Sequence, residues 1–258
     1  MSNVVLLPYH QDERLSDRSI RLPADVEATV VDPDLPETDQ WQRLVALYEA
    51  LADQVAESVQ AGPVQVVTGD CLAAVGTLVG LQRGGFDPSI VWFDAHGDLH
   101  TRETSTSGYL GGLPLRMALG GDFAVLGEPL GLRALSEDRA TLVDGRDLDP
   151  AEVNYLADSV ITHTTVDGVS PAVMPDGPIL LHVDVDVVHA DEVPGLRFPA
   201  ADGPTLSRVF AAAHRLISSG RIVAFEVACS WLEPTGDRDV ERCADVLASL
   251  LAAEDLET

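Results

Sequence analysis

Two short motifs place carboxylates and imidazoles at every second position, at the ends of apolar runs. In VWFDAHGDLH these residues are Asp94, His96 and Asp98, and in LLHVDVDVVH the same spacing relates Asp184 and Asp186. Residues two apart on an extended chain share a face, so the side chains of each motif can point the same way. Carboxylates that converge on one pocket need a counter-charge, which is usually a divalent metal. The mixture of Asp and His therefore predicts a metal site for manganese, zinc, cobalt or iron.

A cysteine lies just past a third apolar run, in the stretch VVTGDCLAAVG. Cys71 is compatible there with three roles, namely a small core residue, a nucleophile or a metal ligand. No motif links a histidine to it, so the nucleophile ranks last. Cys229 and Cys243 bring the total to three cysteines, which is too few for a disulfide framework. We expect Cys243 to be a core residue, and Cys229, three residues after Glu226, either to line the pocket or, as the stronger expectation, to pack in the core.

The elements that must position these residues alternate between apolar runs and segments with helical spacing. Nearly continuous β-branched runs indicate strands that are covered on both faces. These runs lie at 4–8, 28–32, 64–68, 90–94, 140–144, 159–163, 179–185 and 222–227. Helical spacing is found at 38–60, 71–83, 112–119, 149–157, 204–219 and 237–254.

This alternation predicts an α/β fold, with one layered domain over residues 1–258, a mostly parallel sheet and helices on both of its faces. Asp149 followed by Pro150 is typical of a helix start. Ligands bind outside the carboxyl ends of the strands in such sheets. The long irregular stretches 97–112 and 186–204 are therefore expected to line the site.

The charge of the chain excludes several classes of partner. The formal net charge is −26, from 42 acidic and 16 basic residues, which argues against nucleic acid and anionic membranes and suits a small cation. All 16 basic residues are arginine, so phosphate-loop and Schiff-base lysines are ruled out. No apolar run approaches the roughly 20 residues of a membrane helix, and the N-terminus lacks signal-peptide character, so we expect a cytoplasmic protein.

Five segments together resemble the arginase (ureohydrolase) family. They are DAHGD at 94–98, TSTSGYLGGLPL at 104–115, GRDLDPAE at 145–152, HVDVDVV at 182–188 and FEVACSWL at 225–232. Their order is that of the family. The resemblance implies a single arginase-like α/β domain with an eight-stranded, mostly parallel sheet, which agrees with the eight apolar runs. It also implies that the protein hydrolyses the C–N bond of a guanidino compound.

The resemblance further implies a two-metal site. Its ligands would be Cys71, Asp94, His96, Asp98, Asp184 and Asp186. Asp94 and Asp184 would bridge the ions, which share a water, lower its pKa and deliver hydroxide to the guanidinium carbon. Urea or hydroxyurea would leave, together with an amine such as ornithine. One or two Mn²⁺ ions are the first expectation, and the softer Cys71 leaves Zn²⁺, Co²⁺ and Fe²⁺ open.

The same carry-over implies residues that hold the substrate. Glu226 matches the acid that holds the guanidinium, and Asp98 and His100 are the other catalytic candidates. Asp149 and Ser107 match residues at the α-amino and α-carboxylate ends of arginine, and His100 is also expected to contact substrate. His182 and His189 are expected to hydrogen-bond to the ligating carboxylates from outside. The family's frequent trimers and hexamers leave a homo-oligomer open.

The chain departs from the family within the site itself. Cys71 replaces a metal-binding histidine, Gly111 a histidine thought to shuttle protons, and His100 and Tyr109 replace asparagines. His182 and His189 also replace other residue types. These changes are compatible with an amidinohydrolase retuned for another guanidine, among which Nω-hydroxyarginine, arginine, agmatine and other guanidino acids stay open. The alternative is a weakened relative that binds metal or guanidine without turnover. A metal deacetylase is disfavoured by the segments 104–115 and 145–152.

Overall fold

The computed structural model describes residues 3–252. Within that range the main sheet has eight strands, all of them parallel to their neighbours. The strands are β1 (Val4–Leu7), β4 (Ala28–Val30), β5 (Val64–Thr68), β6 (Ser89–Asp94), β7 (Ala140–Asp144), β8 (Thr162–Thr164), β9 (Ile179–Asp184) and β10 (Ile222–Ala228). Their order across the sheet is β4-β1-β5-β10-β9-β6-β7-β8. This confirms the predicted α/β fold and its eight-stranded parallel sheet.

Helices cover both faces of the sheet. They are α1 (Gln40–Ser58), α2 (Ala74–Arg83), α3 (Pro114–Ala118), α4 (Gly127–Leu130), α5 (Pro150–Asp158), α6 (Leu206–Ile217) and α7 (Asp237–Leu251). One apolar cluster joins α1 and α2 to the sheet, and a second joins α6 and α7 to it. Burying both faces explains the nearly continuous apolar character of the central strands. The last two residues of the helix predicted at 237–254 lie outside the described residues.

The predicted strand at 159–163 is wrong in its first part, because the chain forms strand only from Thr162 to Thr164. Ser159 closes helix α5 instead, where its backbone N–H and its hydroxyl both donate to Leu156 O. The Ser159 hydroxyl then accepts from Ile161 N. This turn uses the hydrogen bonds that a strand would otherwise have made.

A two-stranded antiparallel hairpin follows β1 and was not predicted from the sequence. Its strands are β2 (Tyr9–His10) and β3 (Glu13–Arg14), and they pair His10 with Glu13. The hairpin lies next to the β5 strand end, because Gly69 N donates to Tyr9 O. The short helix α4 was also missed. Within residues 3–252, none of the helices combines the length and the apolar character that crossing a membrane requires.

Candidate active site

The predicted metal ligands meet at the carboxyl ends of central strands. Asp94 ends β6 and Asp184 ends β9, which are neighbours in the sheet, while Cys71 starts a short 3₁₀ turn just after β5. Cys71 and Asp184 line a cavity of about 250 Å³, and Asp94 is buried. Much of the cavity wall comes from the irregular stretches after β6 and β9, as the sequence predicted. These stretches contribute His96, Asp98, His100, Ser105, Ser107, Tyr109, Asp186 and Phe198, while Asp149 and Glu152 after β7 and Ser230 after β10 add to the wall.

Two groups of potential ligand atoms overlap at this cavity. Cys71, Asp94 and Asp98 form one group, and Asp94, His96 and Asp186 form the other, each with its atoms within 4.8 Å of one another. Asp94 belongs to both groups, as expected of a bridging residue. The two groups are adjacent because one carboxylate serves both.

Asp184 connects the ligand groups through hydrogen bonds. Its Oδ2 accepts from Cys71 Sγ at 2.7 Å, and its Oδ1 accepts from Asp186 N at 2.8 Å and from the Ser230 hydroxyl. Ser230 was missed from the sequence, although it follows β10 closely in the same segment as Glu226. These contacts fix the direction in which the Asp184 carboxylate points.

The donor set fits a divalent cation. Asp94, Asp98, Asp184 and Asp186 are all buried, and within residues 3–252 the Asp98 Oδ2 is buried without a hydrogen-bond partner. Burial, together with the charges of Asp94 and Asp184, raises the pKa of Asp98 well above its ordinary range. Burial and the charge of Asp94 raise the pKa of Asp184 to about 6. Buried carboxylates at this density call for added positive charge, which a metal supplies.

His96 and Cys71 both hold protons that a metal must displace. Burial disfavours the charged form of His96, but its hydrogen bonds to Asp186 and Asp94 outweigh this and raise its pKa to about 12. Its Nδ1 lies 3.1 Å from Asp186 and 3.3 Å from Asp94. Burial, then the charges of Asp184, Asp98 and Asp94, raise the pKa of the Cys71 thiol. Metal binding at such a site releases protons and weakens in acid.

Three buried residues, Trp92, His182 and Glu226, form a polar row behind the candidate metal ligand Asp94. Trp92 Nε1 donates to Asp94 Oδ2 at 3.1 Å, and the His182 ring stacks on Trp92 with ring centroids 3.6 Å apart. His182 Nδ1 lies 2.9 Å from Glu226 Oε1, and Thr77 donates to the other oxygen of Glu226. Trp92, His182 and Glu226 are cross-strand partners in the sheet register.

The contacts in this row differ from those predicted for Glu226 and His182. Glu226 is fully buried and is not among the cavity-lining residues, and both of its oxygens are already engaged. That Glu226 holds the guanidinium stays a prediction. For this role, one of its oxygens would have to leave its hydrogen bond with Thr77 or His182. His182 does hydrogen-bond outside the ligand set, but it reaches Asp94 through Trp92 rather than directly.

The predicted substrate-binding residues mostly line the cavity wall. His100 Nε2 lies 3.0 Å from Asp149 Oδ2, and its Nδ1 lies 3.2 Å from Thr104 Oγ1. Ser107 lines the cavity as well. His189 does not, since its side chain is 40% exposed and its Nδ1 accepts from Asp191 N at 3.2 Å. The structure therefore does not bring His189 to the ligating carboxylates, contrary to the prediction.

Glu152 is a buried cavity residue that the sequence reasoning passed over. Its Oε1 accepts from Leu99 N and its Oε2 from Asp149 N, both at 3.0 Å. It thus joins the start of α5 to the loop that carries Asp98 and His100. The signal was present in the sequence, because Asp149 and Glu152 have the three-residue spacing of a capping box.

Tyr109 fills the space beside Gly111. A Cβ atom at Gly111 would collide with the Tyr109 ring. The Tyr109 hydroxyl is 3.0 Å from His10 Nε2, and its ring packs on Phe198 with centroids 4.6 Å apart. His10 received no role from the sequence, because nothing there links the hairpin to the distant loop. The tyrosine and the glycine are a sterically matched pair.

Comparisons with known proteins point to one family. A family model described as the arginase family matches residues 7–254. An Nω-hydroxy-L-arginine amidinohydrolase of Streptomyces lavendulae is 30% identical over 234 residues, covering 88% of this chain and 78% of the relative. An arginase of Bacillus subtilis is 28% identical over 241 residues, covering 84% of this chain and 79% of that one.

Solved structures agree in fold. The arginase of Bacillus caldovelox superposes with a TM-score of 0.81 at 23% identity, over 99% of this chain and 98% of that one. The formimidoylglutamase of Bacillus subtilis gives 0.71 at 14% identity, over 98% and 86% of the two chains.

Proposed function

We propose, from the premise that this chain belongs to the arginase family of amidine C–N hydrolases, that it hydrolyses a guanidino amino acid at a divalent metal centre. The candidate substrates are Nω-hydroxyarginine, giving hydroxyurea and ornithine, and arginine, giving urea and ornithine. The relative that is 30% identical carries the first activity in its name. The observation that carries the proposal is the pair of ligand groups that share Asp94 and whose other members all line the cavity.

The proposed cofactor is Mn²⁺, with one or two ions held by Cys71, Asp94, His96, Asp98, Asp184 and Asp186. When bound, the metal would supply a water activated at neutral pH and the positive charge that the carboxylates lack. Cys71 would bind as a thiolate, which favours softer ions, so Zn²⁺, Co²⁺ and Fe²⁺ are tested beside Mn²⁺.

The residues of the chain have three tasks in this proposal. The buried carboxylates attract the cationic guanidinium, in keeping with the net charge of −26. Trp92 and Ser230 orient Asp94 and Asp184 through hydrogen bonds. Asp98 has a buried oxygen without a partner in the described part of the chain, and this oxygen is free to accept a proton at the reacting centre.

Another part of the cavity lining would hold the α-amino group of the substrate. Asp149 accepts the α-amino group in this proposal, next to His100, whose Nε2 lies 3.0 Å away. Glu152 fixes both residues in position through Leu99 N and Asp149 N. The Glu152 contacts therefore couple the substrate wall to the loop that carries Asp98.

The test is turnover by protein stripped with a chelator and reloaded with one metal at a time. Arginine, Nω-hydroxyarginine and agmatine are supplied, and urea or hydroxyurea is measured. We expect Asp184→Ala to lose more than about 100-fold in kcat/KM, which is the upper end for outer contacts of a metal site. Asp191→Asn, a change at an exposed aspartate in the same loop, is the matched control and should keep full activity.

Absence of product with every metal would refute the proposal. Thermal stabilisation by metal or arginine without product would instead favour the non-catalytic binding protein.

A further inference from the structure

A second cavity adjoins the catalytic one. It has a volume of about 340 Å³, and its walls include the β2–β3 hairpin, Arg197 and Leu232. Tyr109 and Phe198 line both cavities, so the two meet at these aromatic side chains. A molecule bound over the metal ligands could therefore extend past the aromatic pair towards Arg197.

Arg197 is the one arginine among the residues that line either cavity in the described part of the chain. Its Nε is buried and has no hydrogen-bond partner within residues 3–252. No carboxylate of those residues lies within ion-pair distance of it, whereas Arg43 nearby holds Asp12 at 2.7 Å. An unpaired buried donor is costly, which indicates a partner that arrives from outside.

The backbone ties Arg197 to the catalytic centre. Its N–H donates to Ser230 O at 3.0 Å, and the preceding Leu196 forms a β-bridge with Trp231. The Ser230 hydroxyl in turn donates to Asp184. The guanidinium is thus held on a segment fixed to the metal site.

None of the charged groups around Arg197 in the described part of the chain forms an ion pair with it. Burial, and then the charge of Arg197, lower the pKa of His10 to about 4, so His10 is neutral at pH 7. Asp12 is engaged by Arg43. Glu13 is an exposed residue of the hairpin. A carboxylate fits the planar fork of a guanidinium better than any other common anionic group of an amino acid.

We propose that Arg197 forms a subsite for the carboxylate of the substrate, so that the enzyme selects guanidino acids over decarboxylated guanidino amines. This inference rests on the proposed function and specifies its substrate class. The guanidinium end occupies the acid-lined cavity, and the carboxylate end lies at Arg197 beyond Tyr109 and Phe198. Selectivity arises because agmatine, which lacks the carboxylate, leaves the buried Nε of Arg197 unpaired.

The experiment compares arginine with agmatine in wild type, Arg197→Met, Arg197→Lys and the control Arg208→Met. Arg208 is an exposed arginine paired with Asp167, far from the cavity linings. We expect Arg197→Met to lose about 10- to 100-fold in kcat/KM for arginine, mainly through KM, since charged hydrogen bonds have this worth. Its kcat/KM for agmatine should change by less than about 2-fold. Arg197→Lys should fall between, and Arg208→Met should match wild type.

Agmatine turnover also reports that the Arg197→Met protein is folded; if wild type does not turn agmatine over, the inhibition constant of agmatine replaces it. An arginine-to-agmatine preference in Arg197→Met within about 3-fold of wild type would overturn the subsite. A wild-type enzyme that prefers agmatine would overturn it as well. Failure of wild type to hydrolyse any guanidine under any metal is a different result, because it refutes the proposed function itself.

Discussion

Two buried threonines allow a matched test of the polar row behind the candidate metal ligands. Thr77 and Thr141 are both fully buried. The Thr77 hydroxyl donates to Glu226, whereas the Thr141 hydroxyl has no partner among the described residues. Replacing each by valine makes the same chemical change, so any difference in stability reports the contact to Glu226.

The structure sets the expected magnitudes. Thr77→Val removes a hydrogen bond to a buried carboxylate, which costs about 1.5–3 kcal/mol of unfolding free energy. Thr141→Val removes a buried hydroxyl without a partner, so it should stabilise the protein by about 1 kcal/mol. The two variants should therefore differ by at least about 2 kcal/mol, or about 4–8 °C in Tm for a chain of this size. Thr77→Ser keeps the hydroxyl and should lose only about 1 kcal/mol.

Urea unfolding followed by far-ultraviolet circular dichroism measures the three variants beside wild type. Equal stability of Thr77→Val and Thr141→Val would show that Glu226 does not depend on Thr77 for a partner. Thr77→Ser being as unstable as Thr77→Val would point to lost packing rather than to a lost hydrogen bond. Either result would remove the argument that Glu226 is held within the row.

Three further predictions concern the cavity and its surroundings. Gly111→Ala should displace the Tyr109 ring and lower activity and Tm, and it should lower Tm by less in a Tyr109→Ala background, because the collision is between these two residues; an equal loss of Tm in both backgrounds would show that the pair is not matched. His10 has its pKa lowered to about 4, so the stability it contributes above pH 6.5 is lost as pH falls towards 4. The Tm advantage of wild type over His10→Gln should accordingly shrink between pH 7 and pH 4.5, and a constant difference would contradict this. Elemental analysis should find more metal bound to Cys71→His than to wild type. A neutral imidazole binds metal without losing a proton, whereas the raised pKa of the Cys71 thiol opposes formation of the thiolate. Equal metal loading in both proteins would make Cys71 a full ligand.

Much of the fold followed from local pattern. The central strands bury both faces, so their apolar runs mark the strand bounds to within a residue, as at 64–68 and 140–144. The edge strand β8 was harder to predict, because Thr162–Thr164 is largely exposed and lacks the apolar pattern. The hairpin at residues 9–14 is short, and its strands are made by contacts with the β5 end rather than by their own composition.

The candidate metal site could be predicted from the sequence, because residues spaced two apart at a strand end point to the same face of the strand. Asp94 and Asp184 needed only their own strands to be placed. The pairing of His182 with Glu226 depends on the register between two strands, which a single sequence does not encode locally. The contact between His10 and Tyr109 joins residues 99 positions apart, and no local pattern predicts it. What was missed is tertiary pairing of polar side chains.

Trp92 gives the protein a built-in optical reporter of the proposed metal centre. The indole is fully buried, donates to Asp94 and stacks on His182, so its surroundings consist largely of groups that respond to a cation. A change of charge at Asp94 alters the electric field along the indole N–H, which in turn shifts the emission of the ring. Trp41 and Trp231 are the other two tryptophans of the chain and provide the background signal. Fluorescence titration thus allows metal occupancy to be followed without labels and without turnover.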